Sequence, residues 1–150
     1  MIALDYHPTA EMVAEKGYAL AKAIDAEVVL LHVIADAVFY SSTMYDPIMG
    51  FGGYADLGIM PIEISDNLKK TSHIFLNKTK NHLADENIQT MVAEGDTADI
   101  IIEAAKDLNA DVIVMGSHSQ KWLDHLLTGS VTEKVLQKTI NALYIIPTKK

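Results

Sequence analysis

The sequence predicts an α/β domain with an open parallel sheet and helices on both of its faces. Short apolar runs alternate with amphipathic segments along the 150 residues. The run EVVLLHVI, residues 27–34, is continuously apolar and β-branched, which is typical of a strand covered on both faces. Strands separated by helices are joined by right-handed crossovers and therefore lie parallel in one sheet. A chain of this length forms a single domain, residues 1–150, with an adequate core.

The first half of the chain contains two predicted strands and two predicted helices. MIAL, residues 1–4, is the first strand, and Pro8 and Thr9 open a helix that runs to about Ile24. The run at 27–34 is the second strand, and the second helix extends from about Ile64 to Leu83. Apolar residues recur every three or four positions in the first helix and form its predicted inner face: Ala10, Val13, Ala14, Gly17, Leu20, Ala21 and Ile24.

The second half continues the alternation of strand and helix. Its predicted elements are a strand at 88–95, a helix headed by Asp96, a strand at 111–116, a helix from Ser130 to about Thr139, and a strand at 142–147 that Pro147 ends. The third helix has a predicted inner side of Ile100, Ile101, Ala104, Ala105 and Leu108.

Residues 35–62 form the irregular part of the sequence. They hold four of the eight glycines, two prolines and several Tyr, Phe and Met residues. A loop this long inside a compact domain is usually functional or mobile. We therefore expect an irregular loop of one of these kinds at about 35–62 and not a domain boundary.

Composition excludes several classes of function. The net charge of -8 argues against nucleic acid as a partner, because phosphate backbones are bound by clustered Lys and Arg. Cysteine is absent, which agrees with a reducing compartment. The first residues do not resemble a signal peptide, and no apolar run approaches the roughly twenty residues that span a bilayer. We expect a cytoplasmic protein without a membrane partner.

The stretch GSHSQKWLDHLLTGS, residues 116–130, carries the clearest binding motif. Ser130 and Glu133 have the spacing of a capping box, which predicts a helix that begins at Ser130. The first amides of this helix would face the turn after Gly116 and form an anion site, and Gly129 would let a phosphate approach the backbone. The alternative is that Ser130 caps its helix and the glycines serve two ordinary turns.

Four blocks in order resemble the universal stress protein family over nearly the whole chain. They are ALD at 3–5, VVLLHVI at 28–34, ADVIVMGSHS at 110–119 and LLTGSVTEKVL at 126–136. The resemblance implies a Rossmann-like fold of the adenine nucleotide alpha hydrolase type. It also implies the strand order 3-2-1-4-5, with strands 1 and 4 side by side at the point where the strand order reverses.

The nucleotide-binding branch of that family has the pattern Gly, two residues, Gly, nine residues, then Gly followed by Ser or Thr. Here the pattern falls on Gly116, Ser119, Gly129 and Ser130, so serine replaces the middle glycine. The resemblance implies an ATP site whose Mg²⁺ or Mn²⁺ is held through the phosphates, with Asp5 and Val33 on the adenosine. The implied site residues are Ala3, Leu4, Asp5, Val33, Met115, Gly116, His118, Ser119, Gly129, Ser130, Val131 and Thr132.

Several of these positions also have simpler interpretations. Asp5 could cap the first helix, His118 could be a solvent-facing loop histidine, and Lys121 could be solvated surface instead of a phosphate ligand. The six histidines have no metal-ligand spacing, and Ser117 and Ser119 lack the Gly-x-Ser-x-Gly elbow of a serine hydrolase.

Three functions are compatible with these motifs. The first is an ATP-binding, nucleotide-dependent regulator of the stress response that is at most a slow ATPase. The second is a family member that binds no nucleotide and acts through protein contacts alone, which Ser119 favours. The third, an enzyme of adenylyl or phosphoryl transfer, ranks last because Lys121 is its single candidate catalytic group. The resemblance also implies a homodimer through the last strand, ALYIIP, whose apolar edge would otherwise be exposed.

Overall fold

The computed structural model describes residues 1–35, 61–117 and 131–148. The elements follow the predicted alternation of strand and helix. In chain order they are β1 (Ile2–Leu4), α1 (Ala10–Ala23), β2 (Val29–Ile34), α2 (Pro61–Leu83), β3 (Gln89–Glu94), α3 (Thr97–Asp107), β4 (Val112–Ser117), α4 (Val131–Lys138) and β5 (Ala142–Pro147).

The five strands form one parallel sheet in the order β3-β2-β1-β4-β5. The predicted fold class and strand order are therefore confirmed. The central strand, β1, pairs with β2 on one side and β4 on the other, with Ile2 beside both Leu30 and Val114.

Successive strand residues point to opposite faces of the sheet, and each face has its own core. Ile2, Leu30 and Val114 lie on the face covered by α1 and α2, where Leu76 of α2 is fully buried. Fully burying a side chain of this size stabilises the fold by roughly 1.5 to 3 kcal/mol. The opposite face packs against α3 and α4 through a second buried cluster: Leu31, Val33, Ala98, Ile101, Ala104, Ala105, Ile113, Met115 and Val135.

Asp96 caps α3 as the sequence predicts. Its carboxylate accepts the backbone N–H groups of Ala98 at 3.1 Å and Asp99 at 3.2 Å, and so satisfies two donors that the first helical turn leaves without a partner. Gly95, just before it, has φ of +142°, a conformation that a side chain would strain.

Two residues predicted on inner helix faces are exposed. Ile24 is 55% exposed and Leu108 is 37% exposed. They are the C-caps of α1 and α3, beyond the last turn that packs on the sheet, and they line a groove of about 410 Å³ at the amino ends of the strands.

The predicted loop at 35–62 is too long at its carboxyl end. Pro61 and Ile62 belong to α2, which begins three residues before the predicted Ile64. The fixed φ of proline suits the first position of a helix, so Pro61 was the available signal for this start. Residues 36–60 lie outside the described part of the chain. No helix in the described segments is long and apolar enough to cross a bilayer.

Gly17 sets how closely α1 approaches the sheet. A β-carbon at this position would lie 2.9 Å from Ile2 Cδ1 and 3.0 Å from Val114 Cγ1, closer than packed atoms tolerate.

We expect Gly17→Val to lower the free energy of unfolding by about 2 kcal/mol through overpacking, measured by urea denaturation. Ala19→Val, on the exposed side of the same helix, is the control for helix propensity and should cost less than about 0.7 kcal/mol. Equal losses in the two variants would contradict this account of the contact.

Candidate functional site

The carboxyl ends of β1 and β4 lie side by side where the strand order reverses. Ala3 is the register partner of Met115, so the next residues of each strand reach the same edge of the sheet. In open α/β sheets, ligands bind in the crevice at this position, where the neighbouring loops diverge. The structure therefore brings the residues implied at the two strand ends to one edge.

The first turn of α4 packs against the end of β4. The Thr132 side chain is buried, and its hydroxyl donates a long hydrogen bond of 3.5 Å to the carbonyl oxygen of Gly116. Amides in the first turn of a helix have no partner within the helix and lie at the positive end of its dipole. Gly116, Val131 and Thr132 are thus brought together at a helix end suited to an anion.

Asp5 follows β1 at the same edge and is exposed. Its carboxylate oxygen Oδ1 accepts the backbone N–H of His7 at 3.1 Å. The alternative prediction, that Asp5 caps the first helix, is wrong because α1 begins at Ala10 and its N-cap is Thr9. The Asp5 carboxylate orders the turn between β1 and α1 instead.

Val33 and Ala3 lie on the sheet face that is covered by α3 and α4. Val33 is buried one position before the end of β2, and Ala3 packs against the same core as Met115. Leu4 has the opposite orientation and belongs to the core beneath α1 and α2. The structure therefore places Leu4 among packing residues, with its backbone at the edge of the sheet.

Four implied site residues lie outside the described part of the chain. They are His118, Ser119, Gly129 and Ser130, and Lys121 lies there too. The described part of α4 begins at Val131, so the helix start and the cap predicted at Ser130 stay predictions. In the described residues no group of three His, Asp or Glu side chains could hold a metal ion.

The profile of the universal stress protein family matches residues 1–147. The chain belongs to the universal stress protein family. Universal stress protein MJ0577 of Methanocaldococcus jannaschii is 26% identical over 148 residues, which cover 97% of this chain and 91% of the relative. Universal stress protein YxiE of Bacillus subtilis is 28% identical over 148 residues, covering 97% and 96%.

Solved structures of this family share the Rossmann-like fold. The structure of MJ0577 superposes with a TM-score of 0.71 at 25% identity, covering 99% of this chain and 96% of that one. A universal stress protein solved in complex with cAMP has a TM-score of 0.61 at 16% identity, covering 99% and 96%. The family member of Archaeoglobus fulgidus in complex with dAMP has a TM-score of 0.53 at 18% identity, covering 97% and 94%.

His32, beside this edge of the universal stress protein, was not predicted from the sequence. It is 3% exposed, and its Nδ1 lies 2.8 Å from the carbonyl oxygen of Leu4. A carbonyl oxygen can only accept, so Nδ1 carries the proton and Nε2 carries a lone pair. Nε2 is buried and has no hydrogen-bond partner among the residues that the structure describes, which costs about 1 to 3 kcal/mol. The available signal was a titratable residue within an otherwise apolar strand, VVLLHVI.

His32 makes the stability of the domain depend on pH. Burial lowers the pKa of His32 below 6.5, although the bond to the Leu4 carbonyl and the charge of Asp5 partly oppose the shift. At a pH between the pKa of His32 in the folded chain and its higher pKa in the unfolded chain, the unfolded chain therefore binds a proton that the folded chain does not. We expect the free energy of unfolding to fall between about pH 7.5 and pH 5.5, and His32→Leu to reduce this fall, measured by urea denaturation at each pH.

A second histidine provides a control of opposite sign. The hydrogen bond from His82 Nε2 to Glu15, 2.8 Å long, raises the pKa of His82, so its stabilising contribution is present at low pH and lost as pH rises. His82→Gln should therefore make the fall in stability below pH 7 steeper. An identical pH dependence in wild type and His32→Leu would refute the assignment.

Proposed function

We propose that this universal stress protein binds ATP at the carboxyl edge of its sheet and acts in the cytoplasm as a nucleotide-dependent regulator of the stress response. The observation that carries the proposal is the packing of the first turn of α4 on the end of β4, through Thr132 and Gly116. The amino terminus of α4 therefore lies at the end of β4, which pairs with the central strand β1, and on the same edge of the sheet as Asp5. Family members solved with cAMP and dAMP support an adenine nucleotide as the ligand class.

Each part of the proposed site meets a different part of the nucleotide. The amides at the start of α4, with Gly129 and Ser130 before them, would hold the phosphates by hydrogen bonds and by the helix dipole. Asp5 would accept hydrogen bonds from the ribose hydroxyls, and Val33 would contact the adenine. Mg²⁺ or Mn²⁺ would be held through phosphate oxygens, which hard cations prefer. Binding through amides explains how a chain of net charge -8 could take up an anion.

A regulator fits the proposed site better than an enzyme does. The one carboxylate among its proposed ligands in the described part of the chain, Asp5, is assigned to the ribose, so none of these described ligands is proposed as a base for water at the phosphates. We therefore expect hydrolysis of ATP to be slow.

The alternative is a universal stress protein that binds no nucleotide and acts through protein contacts. Ser119 favours it, because the nucleotide-binding pattern has glycine at this position. A serine at positive φ costs on the order of 1 kcal/mol, whereas a hydrogen bond from its hydroxyl to a charged phosphate oxygen contributes roughly 1.5 to 3 kcal/mol. We therefore propose that Ser119 is compatible with ATP.

Calorimetric titration of ATP and Mg²⁺ into protein stripped of nucleotide tests the proposal. We expect wild type to bind, Ser119→Gly to change the affinity by less than about tenfold, and Gly129→Val to abolish binding by filling the phosphate space. If wild type does not bind and Ser119→Gly does, the nucleotide-free alternative is correct.

A pair of charge-matched variants separates a ribose contact from a general effect of charge. Asp5→Ala should weaken ATP binding by about tenfold, or roughly 1.4 kcal/mol. Asp107→Ala removes the same charge from an exposed position at the end of α3 and should leave the affinity unchanged.

We also propose that the protein is a homodimer that associates through β5. This strand is the last in the sheet order, beside β4, and Tyr144 on it is 40% exposed. An apolar edge strand with unpaired backbone groups is a template for pairing with a second copy.

Sedimentation at micromolar concentration should show a dimer for wild type and a monomer for Tyr144→Lys. Ile74→Lys, at a 69% exposed position on α2, is the matched control and should remain dimeric; a monomeric wild type would eliminate the proposal.

A further inference from the structure

One buried histidine contacts both residues that flank Asp5. The His32 imidazole donates from Nδ1 to the carbonyl oxygen of Leu4, at 2.8 Å. Its ring packs against the ring of Tyr6, with centroids 4.4 Å apart. The exposed Asp5 therefore lies between a residue fixed by a hydrogen bond and a residue fixed by a ring contact.

Residues of α2 pack against both His32 and Tyr6. Phe75 of α2 lies 5.0 Å from the Tyr6 ring and 5.7 Å from the His32 ring, measured between centroids. The Tyr6 hydroxyl and the Ser72 hydroxyl form a hydrogen bond of 2.9 Å, and Ser72 also donates to the Leu68 carbonyl. The turn that carries Asp5 is thus fastened to both β2 and α2.

The donor on Nδ1 is the property of His32 that an apolar side chain could not supply. A leucine would fill the space between the rings and would avoid burying Nε2 without a partner. It would leave the Leu4 carbonyl without the donor that now fixes it. The cost of a buried imidazole is therefore offset, within this structure, by the bond to the strand end before Asp5.

We propose that His32 is a positioning residue, which holds the Leu4–Asp5–Tyr6 turn in the conformation that presents the Asp5 carboxylate to the ribose of the nucleotide. The role given to Asp5 rests on the proposed function. The fixing of the turn by His32 does not depend on it.

Three substitutions at position 32 separate positioning from packing. His32→Asn keeps an N–H donor near the position of Nδ1, His32→Gln places its amide near the position of Nε2, and His32→Leu has no donor. We expect ATP affinity within about threefold of wild type for Asn, and a loss of tenfold or more for Gln and Leu, which is about 1.4 kcal/mol. Thermal stability should follow a different order, with Leu above Asn, because leucine fills the apolar space. Affinities that follow the order of stability, or an Asn variant as weak as Leu, would overturn the proposal.

A measurement without nucleotide tests the turn alone. The ¹⁵N order parameters of the Asp5 and Tyr6 amides should be about 0.85 in wild type and His32→Asn, and below about 0.6 in His32→Leu. The Asp111 amide, at the opposite edge of the sheet, should be unchanged in every variant. A rigid turn in His32→Leu would overturn the proposal. If wild type does not bind ATP but the turn loosens as expected, the proposed ligand fails and the positioning role of His32 stands.

Discussion

The fold depends on a three-residue strand that pairs on both sides. β1 spans Ile2–Leu4, and through it the pair of β2 and β3 is joined to the pair of β4 and β5. A strand this short has few hydrogen bonds, so packing must compensate. Ile2 is almost completely buried beneath α1, and Gly17 allows the helix to approach closely enough to cover it. The position of the candidate site, at the end of this strand, follows from the same arrangement.

The amino end of α4 is positioned by contacts on two sides. Thr132 and Val135 pack toward the sheet. On the side that faces α3, Lys134 Nζ lies 3.5 Å from Asp96 Oδ2, and Lys138 Nζ lies 2.7 Å from Asp99 Oδ1. These ion pairs are exposed and screened by solvent, so they orient the helix more than they stabilise it. The buried contacts of Thr132 and Val135 therefore provide most of the support for the edge at which we propose that ATP binds.

Periodicity was sufficient to predict the elements but could not order them. The run at 27–34 predicts a strand covered on both faces because it is almost continuously apolar, a property that can be seen in the sequence alone. The order 3-2-1-4-5 came from the family resemblance, since spacing along a chain does not say which strands are neighbours. The prediction that Ile24 and Leu108 lie on inner helix faces is wrong for a related reason. Their helical spacing continues to the end of each helix, whereas the sheet beneath has already ended. His32 was missed because a single polar residue does not interrupt an apolar pattern.

The pairing of β1 with β4 also constrains the order in which the protein can fold. The amino group of Met1 donates to the carbonyl of Val112 at 3.0 Å, across 111 residues of sequence. Contacts between residues so distant in the chain require the closure of a long loop and form slowly. During synthesis the amino-terminal part emerges first, and β1 and β2 can pair before β4 has been made. The candidate site at the carboxyl ends of β1 and β4 is thus completed late, after most of the domain has been translated.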